Sequence, residues 1–206
     1  MRKISAENFW EWFQEKSEFL MDIDSLGDKA EELLNEFAST LALYSEGISF
    51  ILGDLTENGR QIIFSAEGDE EYFEDVITLC DAVPILDFWD IVAFLPAKGA
   101  NVKINYKGYT LKSKDLWFVP MENEDSSYGK VGLQIAIKDC KEDDEDLLIA
   151  VYSLIEEMIG EYDCTMQIGY FELCPLPSDP EKEDFIPLTM LPDFISWHIS
   201  QEENKE

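Results

Sequence analysis

ISFILGDLTENGRQIIFSAEGDEEYFEDVITLCDAVPILDFWDIVAFL, residues Ile48–Leu95, is the stretch whose reading decides the fold. Ile48, Phe50 and Leu52 fall at every second position, Asn58-Gly59 suits a turn that needs positive φ, and Ile62-Ile63-Phe64 returns. Two antiparallel strands are therefore expected. Asp69 is placed to cap a following helix, on which Tyr72, Phe73, Val76, Leu79, Cys80 and Val83 form one apolar stripe ended by Pro84. Phe88 to Leu95 then reads as a third strand, apolar on both faces as strands near a sheet centre are.

Upstream, Ser5 is positioned to cap a helix from about Ala6 to Met21, with Phe9, Trp12, Phe13 and Leu20 near one face. Trp10 falls off that face and is expected to cover a second surface or to pack under a later loop. Asp24 or Ser25 restarts a helix running to about Tyr44, striped by Ala30, Leu33, Leu34, Phe37, Leu41 and Tyr44, with Gly47 just beyond its end.

Downstream, five lysines (Lys98, Lys103, Lys107, Lys112, Lys114) occur between Ala97 and Lys114 with no acid before Asp115. Val102, Ile104 and Tyr106 alternate, Lys107-Gly108 turns, and Tyr109 and Leu111 return, which predicts a second hairpin. Leu116–Val119 reads as a short strand stopped by Pro120, and Met121–Gly129 as an acidic, mobile loop. Val131, Leu133, Ile135 and Ile137 alternate cleanly. A helix from about Asp144 to Ile159 follows, ended by Gly160, with acids at its first turn where they complement the helix dipole. Cys164, Met166, Ile168 and Tyr170 suggest a returning strand. Five prolines between Pro175 and Pro192 predict an extended arm, with a short helix from Pro192 through Trp197 and disorder from Gln201 to Glu206.

The order strand, strand, helix, strand thus occurs twice, at 48–95 and 116–174, as a repeat of organisation without residue-for-residue similarity. The expected architecture is a single α+β domain over 1–206. It comprises a two-layer sandwich with a mainly antiparallel sheet, an N-terminal helical pair (1–47), a lysine-rich hairpin (97–114) and a proline-rich arm and tail (175–206). The helical pair either joins the helix layer or covers the opposite face.

Composition narrows the function classes. The 206 residues carry 15 Lys+Arg against 45 Asp+Glu, a net charge of −30, so phosphate backbones and anionic membranes are repelled. Hydrophobic content of 46% excludes global disorder. Met1-Arg2-Lys3 is followed by Ile4-Ser5-Ala6-Glu7-Asn8 rather than an apolar run, so no secretory signal and no membrane span are expected. Cys80, Cys140, Cys164 and Cys174 form no CxxC, and His198 is the one histidine, which argues against a zinc site and for reduced thiols in a cytoplasm.

Four segments carry a resemblance: Phe9-Trp10-Glu11-Trp12-Phe13, Ile63-Phe64-Ser65-Ala66-Glu67-Gly68, Trp89-Asp90-Ile91-Val92-Ala93-Phe94 and Gly160-Glu161-Tyr162-Asp163. By these the chain resembles a family of acidic bacterial proteins of unassigned function, which brings no catalytic residues with it. Glu161-Tyr162-Asp163 and Gly169-Tyr170-Phe171-Glu172 are also similar to segments of the B-type regulator of ribonuclease E activity. The spacing here is longer and the central Trp-Gly is absent. That likeness implies a protein-binding regulator on a ferredoxin-like sheet.

Candidate chemistry is sparse. Glu142, Asp143, Asp144, Glu145 and Asp146 lack the glycine and distal glutamate of an EF-hand loop and read as a solvated helix start. His198 lies near Ser196 and Ser200 without a GxSxG turn, and no glycine-rich phosphate loop is present. No catalytic, cofactor or metal residue is assigned. The acids at the two helix starts, Asp69, Glu70, Glu71, Glu74 and Asp75 with Glu142 to Asp146, are the candidate surface for a basic protein partner such as a nuclease or toxin. Lys103, Lys107, Tyr109, Lys112 and Lys114 form a second candidate surface. They alternatively neutralise acids of the same molecule, pair across a homodimer or block strand pairing. The competing classes are an enzyme with a carboxylate or metal-assisted site and a structural homodimer module.

Overall fold

Ser5 begins the first helix as its position implies: its hydroxyl accepts the Asn8 backbone N–H, and α1 runs from Ala6 to Met21. The computed structural model describes residues 3–121, 129–140 and 144–203. Helices and mixed sheets make it an α+β protein, and it divides into two compact units, Met1–Leu95 and Pro96–Glu206. Among the described residues no helix is long and apolar enough to cross a membrane.

In the first unit α2 (Asp28–Tyr44) starts later than the sequence predicts. A short 3-10 turn, Ile23–Ser25, and Gly27 at φ 56° separate it from α1. Next come β1 (Ser49–Leu52), β2 (Arg60–Ser65), α3 (Phe73–Asp81) and β3 (Trp89–Ala93). β1 pairs antiparallel with β2, and β3 lies parallel on its other side. The register sets Phe50, Phe64 and Ala93 in one row, with Ile51, Ile63 and Val92 in the row that faces away.

The helices gather on the Phe64 side. Phe9 and Trp10 meet the Phe64 ring edge-on at 6.0 and 5.9 Å, Phe37 stacks on Phe50 at 3.9 Å, and Phe13 meets Trp89 at 5.0 Å. The N-terminal pair therefore joins the helix layer, and aromatic burial on this scale dominates the unit's core. Trp10, off the expected face, turns to α3 and donates its indole N–H to the Leu79 carbonyl at 2.8 Å. Tyr44 on α2 donates to the Asp75 carbonyl at 2.9 Å, so α3 is tied to both helices before it.

The second unit holds the hairpin β4 (Lys103–Tyr106) and β5 (Tyr109–Lys112), turned at Lys107-Gly108 with φ 42° and 92°. β6 (Trp117–Met121), β7 (Val131–Ile137), α4 (Glu145–Ile159), α5 (Glu161–Gln167), β8 (Ile168–Pro175), β9 (Ile186–Pro187) and α6 (Leu191–Glu203) follow. The sheet runs β8-β7-β6-β9. Its core joins Phe118, Leu133 and Ile135 of the sheet to Leu154 and Ile155 of α4, Ile104 and Leu111 of the hairpin, and Leu191 and Ile195 of α6.

Four expectations are corrected here. Cys164 and Met166 lie on α5, not on a strand: Gly160 at φ 86° ends α4, and the Cys164 N–H returns to the Gly160 carbonyl at 3.0 Å to open a new helix. The arm is less extended than its prolines suggest. β9 adds to the sheet edge, and α6 continues through Gln201–Glu203, held by buried Leu191 and Ile195 one turn apart. Pairing is mainly antiparallel, in four of the six strand pairs, but β2-β3 and β7-β8 run parallel, because a helix between two neighbouring strands carries the chain back to run in the same direction. The organisational repeat holds, β1-β2-α3-β3 matching β6-β7-α4-β8 with the second strand central in both. In both, however, the two parallel strands are immediate neighbours, whereas a ferredoxin-like sheet places another strand between them. The acidic loop at 122–128 lies outside the described residues.

Candidate functional site

The acids before α3 are placed by a tight turn. Glu67 and Gly68 both take positive φ, 53° and 78°, and the Asp69 N–H closes on the Ala66 carbonyl at 3.0 Å. The Asp69 carboxylate accepts the Glu71 N–H at 3.1 Å, so it caps a 3-10 turn, Glu70–Tyr72, before α3 proper. Glu67, Asp69, Glu71 and Glu74 are left exposed, while Asp75 is half-buried.

Strand pairing brings this turn to the α2–β1 connection, because Ser49 sits opposite Ser65. There Gly47 lies under the Tyr72 ring: a methyl group at this glycine would come within 2.1 Å of the ring, so only glycine fits. Glu46, Gly47, Ser49, Glu67, Asp69 and Tyr72 line most of an open cleft of about 380 Å³. It lies where β2 hands over to α3, at the carboxyl end of the parallel pair. That is the end at which open α/β sheets bind ligands. Desolvation, then the charges of Glu71, Glu46 and Asp69, push the Tyr72 phenol above its ordinary range. The cleft thus offers carboxylate acceptors, the Ser49 hydroxyl and a protonated phenol, a set suited to ammonium or guanidinium groups.

The start of α4 is arranged differently. Asp144 accepts the Leu147 N–H at 3.0 Å as N-cap, and the Tyr109 hydroxyl donates to the same carboxylate. Lys107 Nζ reaches Asp146 at 2.7 Å, and Lys98 reaches Glu157 at 3.0 Å. Two of the candidate acids and two members of the second candidate surface therefore hold each other, and the hairpin neutralises acids of its own unit. Lys103 and Lys112 face each other across the hairpin register, Lys114 and Glu145 are exposed, and Glu142 and Asp143 lie outside the described residues. The α3 and α4 starts belong to different compact units.

This pairing carries a prediction. Asp144→Ala removes a helix cap and the Tyr109 acceptor together, and urea unfolding should show a loss of about 1–2 kcal/mol. Lys107 and Tyr109 are both raised above their ordinary values, chiefly by hydrogen bonds to Asp146 and Asp144. Protonated forms are therefore favoured in the fold, so the pairing's contribution is complete at neutral pH and falls as pH rises through the ordinary lysine and tyrosine range. The wild type should lose stability there more steeply than Asp144→Ala.

His198 Nε2 lies 2.6 Å from the Gly129 carbonyl, and its ring is near-parallel to Phe194. Burial pushes the Cys80 and Cys164 thiols up to about 12, away from thiolate chemistry. Among the described residues no group of three His, Cys, Asp or Glu side chains is disposed to hold a metal ion. The cleft itself was not anticipated, since Glu46 and Gly47 are some twenty residues from Glu67. Gly47 beyond a helix and Glu67-Gly68-Asp69 beyond a strand were its only local signals. No family model matches the chain, and no curated protein or solved structure matches it.

Proposed function

We propose that the chain is a non-catalytic acidic protein that binds, and thereby inhibits or regulates, a basic protein partner such as a nuclease or toxin. The first unit receives that partner at the α3 start and the cleft beside it. The observation that carries the reading is one of charge. Between residues 30 and 97 the sequence holds 15 acids and a single base, Arg60. That base is 3% exposed and ion-paired to Asp24, so the surface built from these residues presents no exposed cation. A field of one sign raises association rates with a cationic partner and weakens steeply with salt. The resemblance to a ribonuclease regulator points to the same class of activity, and four free cysteines fit a reducing cytoplasm.

The test is a pull-down at low salt followed by charge reversal. Asp69→Lys, Glu71→Lys and Glu74→Lys together should slow association of the recovered partner at least tenfold, while Glu145→Lys should leave it nearly unchanged. Recovery of no partner, or equal association by the triple variant at low salt, overturns the reading.

A further inference from the structure

The other end of the first unit's sheet breaks a rule that the fold itself does not require it to break. Phe88, just before β3, takes φ 65°. A bulky residue in the left-handed region is a conformational outlier, normally replaced by glycine or asparagine. Phe94, just after β3, takes φ 66°, but its ring is buried against Phe73 at 4.6 Å and its N–H bonds the Phe64 carbonyl at 2.7 Å. Burial offsets the strain at Phe94. Phe88 has no such compensation for its side chain, whose residue is 69% exposed. Its carbonyl serves the fold, accepting the Arg60 N–H at 2.9 Å.

The strained residue does not stand alone. Ile85 in the same α3–β3 connection is 94% exposed, and Leu55 on the β1–β2 turn is 48% exposed. The two segments are held together where Gly59 packs on the Phe88 carbonyl. Around these apolar side chains Asp54, Glu57 and Asp87 are exposed.

We propose that Leu55, Ile85 and Phe88 form the apolar anchor of a protein-docking surface whose partner presents apolar side chains flanked by lysine and arginine. Large exposed aromatic and aliphatic groups that meet no need of the fold are the usual makings of an interface centre, with charges at its rim. The rim decides the occupant. A second copy of the chain would set Asp54, Glu57 and Asp87 against their own like charges, and an anionic membrane would be repelled in the same way. This surface lies at the opposite end of the strands from the acidic cleft and rests on the preceding reading only for the sign of the partner's charge.

Three acetylated 14-residue peptides test it by fluorescence anisotropy and backbone amide shifts: an amphipathic Leu/Lys peptide, an all-Lys peptide and an amphipathic Leu/Glu peptide. The Leu/Lys peptide should bind at least tenfold more tightly than the all-Lys peptide and shift the amides of residues 54–59 and 85–90. Ile85→Ser with Phe88→Ser should abolish that advantage without altering all-Lys binding. Phe88→Gly should do much of the same while leaving Tm equal or higher, which separates docking from folding. Equal binding of the Leu/Lys peptide by wild type and double variant overturns the proposal. So does equally tight binding of the Leu/Glu peptide, self-association through these residues, or uptake of the wild type by neutral phosphatidylcholine vesicles that the double variant loses. Failure of the all-Lys peptide to bind at low salt would instead count against the acidic surface proposed above.

Discussion

Gly59→Ala is expected to destabilise the first unit by about 3–5 kcal/mol, at the upper end for a change of one methyl group. Two effects add. The residue sits at φ 107°, a region that L side chains rarely adopt and that costs about 1–3 kcal/mol. The new methyl would also lie 1.9 Å from the Phe88 carbonyl oxygen. That atom belongs to the backbone and cannot swing aside as a side chain does. Relief requires the β1–β2 turn to move away from the start of β3, which breaks the Arg60 N–H bond to Phe88 and the neighbouring Arg60–Trp89 register. Gly99→Ala and Gly108→Ala are the matched controls, at φ 82° and 92° with open space around each. They carry the conformational cost alone, about 1–3 kcal/mol. Urea unfolding of the three variants decides the matter: a loss at Gly59 no larger than at the controls would mean that the close approach to Phe88 is not rigid.

The hairpin containing Gly59 was legible because its signal is local. Asn58-Gly59 between alternating apolar residues states both the turn and the pairing. The same holds for Lys107-Gly108, for the Ser5 and Asp69 caps, and for the span of α4 with acids at its start and Gly160 at its end. What stayed hidden depends on partners distant in sequence. A run apolar on both faces shows that Phe88 to Leu95 is extended but not its direction, so the parallel pairing of β3 on β2 had no marker. Cys164 and Met166 alternate by coincidence, and a new helix after Gly160 reads the same over so few residues. The lysine island was visible, whereas the acids that Tyr109 and Lys107 meet, 35 and 39 residues away, were identified only by the packing of the hairpin on α4. The cleft required the Ser49–Ser65 pairing to bring Glu46 beside Glu67 and Asp69. Phe88 gives no warning at all, because a positive φ is announced by glycine or asparagine and not by phenylalanine. It is the clearest place where local preference and observed conformation disagree, and such disagreements point toward sites selected for something other than folding.

Trp10 offers the sharpest test of how the first unit is held together. Its ring is 2% exposed and meets Phe9, Phe13 and Phe64 at 5.2, 5.3 and 5.9 Å. Trp10→Ala should cost about 3–5 kcal/mol through lost burial and the cavity left behind. Since small domains are stable by only about 5–15 kcal/mol in all, that is enough to populate unfolded chain on mild heating. Trp10→Phe separates the ring from its polar edge. The last carbonyls of a helix lack partners within it. At the end of α3 the Ala82 and Val83 N–H groups return to Thr78 and Cys80, which leaves the Leu79 carbonyl to the Trp10 indole. Phenylalanine keeps most of the aromatic packing but strands that buried carbonyl, at a cost of about 1–3 kcal/mol. The ordering Ala worse than Phe, and Phe worse than wild type, is the expected result in urea unfolding. Amide exchange in the last turn of α3 should quicken in Trp10→Phe, since the hydrogen bond that fastens this turn to α1 is gone. If Trp10→Phe matches wild type in both measurements, α3 is held by its apolar stripe alone. The off-face position of Trp10 on α1 would then reflect packing and not the satisfaction of a helix end.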